Sequence, residues 1–152
     1  LSRIRSEDGL TIIPEKSIDE LNLNEYDSLL LPGAIDIREA IEDNAILDFI
    51  KKFEGMPIGA ISIAPLLLLK AGLLEGKPFM AGVNPEDLFE EGYTTDDLAL
   101  MIGWDASLEN PIPEGYIQSE SIVTSVSYNF VRWALAFGKM LGIDLPPKTF
   151  GL

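Results

Sequence analysis

The residue with the clearest chemical potential in this sequence is Ser62, which follows an unbroken apolar run at 57–61 (PIGAI). Such a run is typical of a strand that is covered on both faces, and a helical segment begins within two residues of the serine. Ala60 and Ala64 lie two positions to either side, where G-x-S-x-G enzymes carry glycine, because a nucleophile in a strained turn tolerates only small neighbours. This turn would also aim the backbone N–H of Ile63 at an anion. The pattern predicts a strand-turn-helix elbow, with Ser62 as the candidate catalytic residue.

The residue inventory limits what such an elbow can do. The chain has 152 residues but no His and no Cys, which excludes a thiolate nucleophile, a Ser-His or Cys-His pair, a disulfide and a Cys/His zinc site. A catalytic Ser62 would also need a base; carboxylates are abundant in the sequence, but none is tied to Ser62 by its spacing. The alternative is that Ser62 only caps the following helix, as serines between strands and helices commonly do. No cofactor and no metal site is predicted.

The charge balance excludes whole classes of partner. Acidic residues number 25 and basic residues 11, which gives a formal charge of −14. Nucleic acids and anionic membrane surfaces would be repelled, because both are bound through Lys and Arg. No apolar run reaches the ~20 residues that cross a bilayer, and the first residues lack the pattern of a signal peptide. We therefore expect a cytoplasmic protein that binds neither nucleic acid nor membrane.

Alternating apolar segments predict one α/β domain over residues 1–152. Strands are predicted at 10–14, 26–31, 57–61, 77–81, 116–118 and 121–124; helices at 37–53, 64–71 and 128–141; and helical turns at 17–20, 85–89 and 95–102. This alternation favours βαβ units, and hence a mostly parallel sheet with helices on both faces.

Ligands of parallel sheets bind beyond the carboxyl ends of the strands. Besides the elbow, two such ends carry small or polar residues. Gly33 and Ala34 follow the run 26–31, and Thr124 and Ser125 end the last predicted strand. Together with Ile63, these four are the predicted binding residues.

Several of these runs also occur together, in the same order, in a known family. Residues 26–34 (YDSLLLPGA), 57–65 (PIGAISIAP), 71–77 (AGLLEGK) and 121–125 (SIVTS), with the closing apolar helix, resemble the ThiJ/PfpI superfamily. The resemblance implies a three-layer, flavodoxin-like sandwich of the class I glutamine amidotransferase type, usually dimeric. It also implies an elbow Cys that works beside a Glu from the first βα unit and often a neighbouring His.

This chain departs from the family pattern at each chemical position. Ser62 stands at the elbow Cys, Ile63 stands where many relatives have His, and Ala34 replaces the second glycine of its loop. The first βα unit, with its Glu, is expected to lie before Leu1, so the domain is expected to be incomplete at its amino terminus.

Three functions follow as hypotheses. The first is a family member without the thiol chemistry of its relatives, whose elbow remains a pocket for an unknown small molecule or anion. The second is a hydrolase or lyase that uses Ser62 with a Glu from the expected amino-terminal segment. The third is a non-catalytic interaction module that works as a homodimer, the assembly that the resemblance implies.

Overall fold

Strands of three small sheets organise the protein in the computed structural model, which describes residues 2–152. They are β1 (Ile4–Arg5), β2 (Thr11–Ile12), β3 (Leu29–Leu31), β4 (Ile58–Ile61), β5 (Phe79–Met80), β6 (Met101–Ile102), β7 (Ile117–Ser119) and β8 (Ile122–Ser125). The central sheet has the order β3-β4-β8-β7; its first three strands are parallel and β7 is antiparallel to β8. Strands β5 and β6 form a parallel pair, and β1 and β2 form an antiparallel hairpin.

Helices connect these strands. The α-helices are α1 (Arg38–Glu42), α2 (Asn44–Lys51), α3 (Pro65–Lys70), α4 (Trp104–Glu109) and α5 (Phe130–Met140); 3₁₀ helices span Ile18–Glu20, Leu23–Glu25, Pro85–Glu91, Ser127–Asn129 and Pro147–Phe150. The predicted turn at 17–20 is present, and the Glu20 carboxylate accepts hydrogen bonds at 2.9 Å from both the N–H and the hydroxyl of Ser17. No helix within residues 2–152 is long and apolar enough to cross a membrane.

Side chains of β4 alternate between the two faces of the central sheet, as the strand period requires. Ile58 and Ala60 pack into a core with α1, α2 and α3, whereas Ile61 packs against α5. Between them, Gly59 lets α5 approach closely, because a Cβ atom built there would lie 2.9 Å from the ring of Phe137. With helices on both faces of a mostly parallel sheet, the predicted α/β sandwich is confirmed.

Two local predictions were wrong in part, the helix at 37–53 and the turns at 95–102. The helix expected at 37–53 is interrupted at Asp43, whose carboxylate accepts a hydrogen bond from the N–H of Ala45 at 2.8 Å and caps α2. The segment expected to hold helical turns at 95–102 ends in strand β6, and α4 follows it unpredicted. The strand expected at 10–14 is present as β2, which pairs only with β1 and lies outside the central sheet.

Candidate functional site

Ser62 lies immediately after β4 with a backbone φ of +63°. This left-handed conformation costs a residue with a Cβ atom roughly 1–2 kcal/mol, so the surrounding structure must hold it. Two hydrogen bonds do so: the Ser62 N–H donates to the carbonyl of Ser125 at 2.9 Å, and the Ser62 carbonyl accepts from the N–H of Gly82 at 2.7 Å. Helix α3 starts three residues later, with Pro65 in its first turn. The local geometry is therefore a strained strand-turn-helix elbow.

Two glycines make room for this elbow. A Cβ atom built on Gly33 would lie 2.7 Å from the Cβ of Ser62, and one built on Gly82 would lie 3.1 Å from its Cα. Gly33 was among the predicted site residues, whereas Gly82 was missed. The available signal was its position directly after the strand predicted at 77–81, at another carboxyl end. Both positions bring backbone close to Ser62 in a way that a larger residue would prevent.

Polar groups of the elbow are left without partners in the described chain. The Ser62 hydroxyl is partly exposed and makes no hydrogen bond within residues 2–152. Over the same residues, the N–H groups of Gly33, Ala34 and Ile63 donate to no acceptor. One hydroxyl and three backbone donors are thus available around the elbow to hydrogen-bond an oxygen atom of a ligand.

The loop that follows Gly33 and Ala34 is fixed from the amino-terminal hairpin. Both carboxylate oxygens of Glu7 accept from the N–H of Ile35 at 2.7 Å, and one accepts from the N–H of Asp36 at 3.4 Å. In the sequence, Glu7 is separated from Ile35 by 28 positions and from Asp36 by 29. The hairpin therefore positions one side of the candidate site, although its strands lie outside the central sheet.

A cavity of about 290 Å³ lies beside the elbow, and Ile63 forms part of its wall. Most of its lining is apolar, with four charged side chains among it: Ile35, Asp36, Ile37, Arg38, Ile41, Ile63, Leu66, Val83, Asp87, Leu88, Glu91 and Tyr93. A second depression of about 340 Å³ is lined by Gly82, Val83, Asn84, Asp87 and Trp104. The two share Val83 and Asp87, so they meet next to the elbow.

Arg38 and Asp36 form a hydrogen-bonded ion pair at the edge of this cavity. The Asp36 carboxylate accepts from the Arg38 backbone N–H and from its Nε, each at 2.9 Å at the closest, and forms an ion pair with the guanidinium. The side-chain hydrogen bonds from Arg38, followed by the backbone one, lower the pKa of Asp36 to about 2. The same ion pair, with a smaller contribution from Glu91, raises the pKa of Arg38. Asp36 is therefore ionised and its charge is compensated.

Tyr93 forms a buried part of the cavity wall. Its hydroxyl donates to the carbonyl of Leu66 at 3.3 Å. Burial, followed by the nearby charges of Asp97 and Glu91, raises the pKa of Tyr93 to about 12. The phenol is therefore neutral at ordinary pH and is not a general base there.

Thr124 and Ser125, which were predicted to bind a ligand, are instead buried within the protein. Their exposed fractions are 1% and 0%. The Thr124 Oγ1 accepts from the N–H of Met80 at 2.9 Å, and the Ser125 hydroxyl donates to the carbonyl of Gly115 at 2.5 Å. These hydroxyls connect β8 to neighbouring segments, and they line neither cavity.

The aromatic residues near the site have separate roles. Trp104 lines the second depression and contacts the ring of Tyr128 edge-on, with centroids 5.3 Å apart. The buried Ser107 supports this pair, because its hydroxyl lies 2.8 Å from the Tyr128 hydroxyl and donates to the Trp104 carbonyl at 2.7 Å. Trp133 belongs to the core under α5, as its apolar helix indicated. Over residues 2–152, no group of three or more His, Cys, Asp or Glu residues is placed to hold a metal ion.

Comparison with known proteins gives relatives that match about half of the chain. Protein/nucleic acid deglycase 2 of Escherichia coli is 37% identical over 79 residues, which cover 51% of this chain and 45% of that protein. Deglycase PfpI of Pyrococcus furiosus is 33% identical over 76 residues, covering 49% and 46%. The chain thus spans about half the length of the curated relatives it matches.

Solved structures share the fold over nearly the whole chain. The DJ-1 superfamily protein Atu0886 from Agrobacterium tumefaciens superposes with a TM-score of 0.72 at 20% identity, covering 97% of this chain and 73% of its own. DJ-1beta of Drosophila melanogaster gives 0.67 at 17% identity, covering 92% and 70%. At these identities the likeness concerns the fold alone.

The family model described as the DJ-1/PfpI family matches residues 1–138, which include the loop after β3, the elbow and most of α5. The resemblance predicted from the motifs is confirmed, and the chain is a member of the DJ-1/PfpI family whose elbow carries a serine.

Proposed function

We propose that this protein binds a small molecule at the elbow cavity and does so without the covalent thiol chemistry that the family pattern implies. The observation that carries the proposal is the state of Ser62. The strained elbow presents a partly exposed hydroxyl, and no group within residues 2–152 hydrogen-bonds it. The apolar cavity begins at the next residue, Ile63, and Ser62 itself does not line it. A nucleophilic serine requires a base within hydrogen-bond reach, and the whole sequence contains no His to serve as one.

The cavity itself supports a binding role. Ligand sites are mostly apolar concavities with a few polar groups that fix orientation. Here the apolar lining includes Ile63, whose N–H is free, while the free N–H groups of Gly33 and Ala34 lie in the loop that precedes the lining residue Ile35. Gly33 and Gly82, which the elbow requires, keep backbone close to the Ser62 hydroxyl. The volume of about 290 Å³ is close to the lower end of the range for small-molecule sites.

A fragment screen by two-dimensional NMR tests this proposal. We expect fragments to shift the amide signals of Gly33, Ile63 and Gly82 together, because these groups surround the elbow. Val83→Phe places a ring where the two depressions meet and is expected to weaken such binding at least about tenfold. Leu108→Phe is the matched control, because Leu108 is 54% exposed on α4 and lines neither depression.

Unfolding midpoints of both variants are measured first, so that a collapsed Val83→Phe protein is not mistaken for a blocked site. Fragments that bind only at other surfaces, or that bind wild type and Val83→Phe equally at the elbow, would contradict the proposal.

A second function is favoured by the strain at Ser62. A positive φ at a residue other than glycine is expensive, and such strain often marks reactive positions. We therefore also propose, as the alternative, a hydrolase or lyase in which Ser62 is the nucleophile and a Glu of a preceding segment is its base. The names of the E. coli and P. furiosus relatives attribute deglycase activity to those proteins. Under this alternative, the present chain would also be an enzyme, with Ser62 as its nucleophile.

A serine-directed fluorophosphonate separates the two. The alternative predicts covalent labelling of Ser62 in a protein that includes the preceding segment, detected as a mass increase on the peptide that holds residue 62. The binding proposal predicts an unmodified peptide under conditions that fully label a control serine hydrolase.

A further inference from the structure

The elbow cavity and the depression that adjoins it have a one-sided charge. Of the side chains that line the two, three are carboxylates, Asp36, Asp87 and Glu91, and one is a cation, Arg38. Because Asp36 is already paired with Arg38, the charges that remain belong to Asp87 and Glu91. Neither of these two carboxylates makes a salt bridge within residues 2–152, although the charge of Glu91 also acts on Arg38. The surroundings of the free donors at the elbow are therefore negative.

The 3₁₀ helix Pro85–Glu91 places these two carboxylates over the apolar wall. Leu88, on the same helix, is buried and lines the cavity, whereas Asp87 and Glu91 are exposed at its edge. Charges at an apolar rim are partly screened by water but act on whatever enters the cavity. A ligand would thus bury its apolar part against Leu88 and its neighbours while a charged group stays at the rim.

An aromatic side chain provides an independent indication of the ligand's charge. Trp104 lines the depression that shares Asp87 with the cavity, and it is held there by Tyr128 and Ser107. An indole ring attracts cations, most strongly among the aromatic side chains. Carboxylate and indole on one depression together form a setting that favours a positively charged nitrogen.

We infer that the ligand of this site is a small molecule with an apolar body and a positively charged nitrogen, such as an alkylammonium. The apolar body would occupy the cavity beside Ile63, and the nitrogen would lie at the rim beside Asp87, the carboxylate that lines both depressions. This inference rests on the proposed binding function and specifies its ligand class. The elbow donors alone would favour an anionic ligand. We expect the opposite charge, because the net charge of −14 and the excess of carboxylates over cations in the lining repel anions.

Three probes of nearly equal shape test the inference: cyclohexylmethylammonium, cyclohexylmethanol and cyclohexanecarboxylate. Their affinities are measured by NMR titration on the amides of Gly33, Ile63 and Gly82. We expect the affinity for the ammonium to be at least about fivefold higher than that for the alcohol, because each exposed charge contributes up to about fivefold in affinity. The carboxylate should bind more weakly than either. Added salt should reduce the preference for the ammonium and leave the affinity for the alcohol unchanged.

Variants of the lining assign the effect to its residues. Asp87→Asn combined with Glu91→Gln should remove most of the preference for the ammonium while the alcohol binds within about twofold of its wild-type affinity. Glu54→Gln combined with Glu75→Gln is the control, because it changes the net charge equally at exposed positions that line neither cavity. Trp104→Leu should weaken the ammonium by about twofold to fivefold relative to the alcohol.

The possible failures are distinguishable. If the alcohol binds at the elbow as tightly as the ammonium, the inference is wrong and the proposed binding function stands. If the carboxylate binds most tightly, the site is an anion pocket and the inference is overturned. If none of the probes shifts the elbow amides up to their solubility limits, both the inference and the proposed function fail for ligands of this size.

Discussion

Two serines lie at the carboxyl ends of neighbouring parallel strands, Ser62 after β4 and Ser125 at the end of β8. They are also adjacent in space, because the Ser62 N–H donates to the Ser125 carbonyl. Ser62 has a strained backbone, a partly exposed side chain and a hydroxyl without a partner in the described chain. Ser125 is completely buried, and its hydroxyl donates to Gly115.

The difference shows that position at a strand end does not by itself make a site. The end of β8 is covered by Met80 and by the segment around Gly115, which satisfy its hydroxyls. The end of β4 is flanked by Gly33 and Gly82, which have no side chains to cover it. The neighbours therefore decide which of two similar ends is open to a ligand, and the following four predictions test this contrast.

The largest loss of stability is expected at the covered end. Thr124→Val combined with Ser125→Ala leaves the Met80 N–H and the Gly115 carbonyl buried without these partners. Each unsatisfied group costs about 1–3 kcal/mol, so the free energy of unfolding should fall by about 2–6 kcal/mol. Urea denaturation of the wild type and the double variant measures this change in the free energy of unfolding. A loss below about 1 kcal/mol would show that these hydrogen bonds are not required.

Gly33→Ala should have the next largest effect. The added methyl would lie 2.7 Å from the Ser62 Cβ, so the loop or the elbow must shift. We expect a loss of about 1–3 kcal/mol in the free energy of unfolding, together with weaker binding of fragments at the elbow. The control is Ala106→Gly at an exposed position of α4, which reports the ordinary effect of an alanine–glycine exchange. Gly55→Ala is unsuitable as a control because Gly55 has a positive φ. Unchanged stability of Gly33→Ala would contradict the tight approach of the two segments.

Ser62→Gly should stabilise the protein. Glycine removes the left-handed penalty of roughly 1–2 kcal/mol, while its greater freedom in the unfolded chain costs about 0.5–1 kcal/mol. The expected net gain is about 0–1.5 kcal/mol in the free energy of unfolding. A clear destabilisation would mean that the hydroxyl contributes contacts that offset the backbone strain.

Ser62→Ala should have the smallest effect on stability, within about 0.5 kcal/mol of wild type. The hydroxyl makes no hydrogen bond within residues 2–152, so its removal leaves no partner unsatisfied. If the free energy of unfolding instead falls by as much as Ser125→Ala alone, the two strand ends are alike and the contrast is wrong.

Much of this fold could be predicted because it depends on local patterns. The apolar run 57–61 and the small residues around Ser62 specify the strand and the elbow within one short segment. The family motifs added the sandwich and the loop at Gly33 and Ala34. These features are encoded by neighbouring residues, so the sequence alone contains the necessary information.

The parts that could not be predicted depend on contacts between distant residues. Glu7 binds a loop 28 residues away, and Gly82 makes room for a side chain twenty positions earlier in the sequence. Thr124 and Ser125 look like other strand ends until the segments that cover them are known. Asp87 and Glu91 become site residues only because their helix lies beside the cavity.

The central claim is that the elbow binds without reacting, and a turnover assay tests it most directly. Purified wild-type protein and Ser62→Ala are incubated with methylglyoxal, glycated peptides and amide substrates, and the products are measured alongside the intact protein mass. We predict no turnover that depends on Ser62 and no covalent adduct at that residue. Robust turnover by the wild-type protein that Ser62→Ala abolishes would contradict the claim.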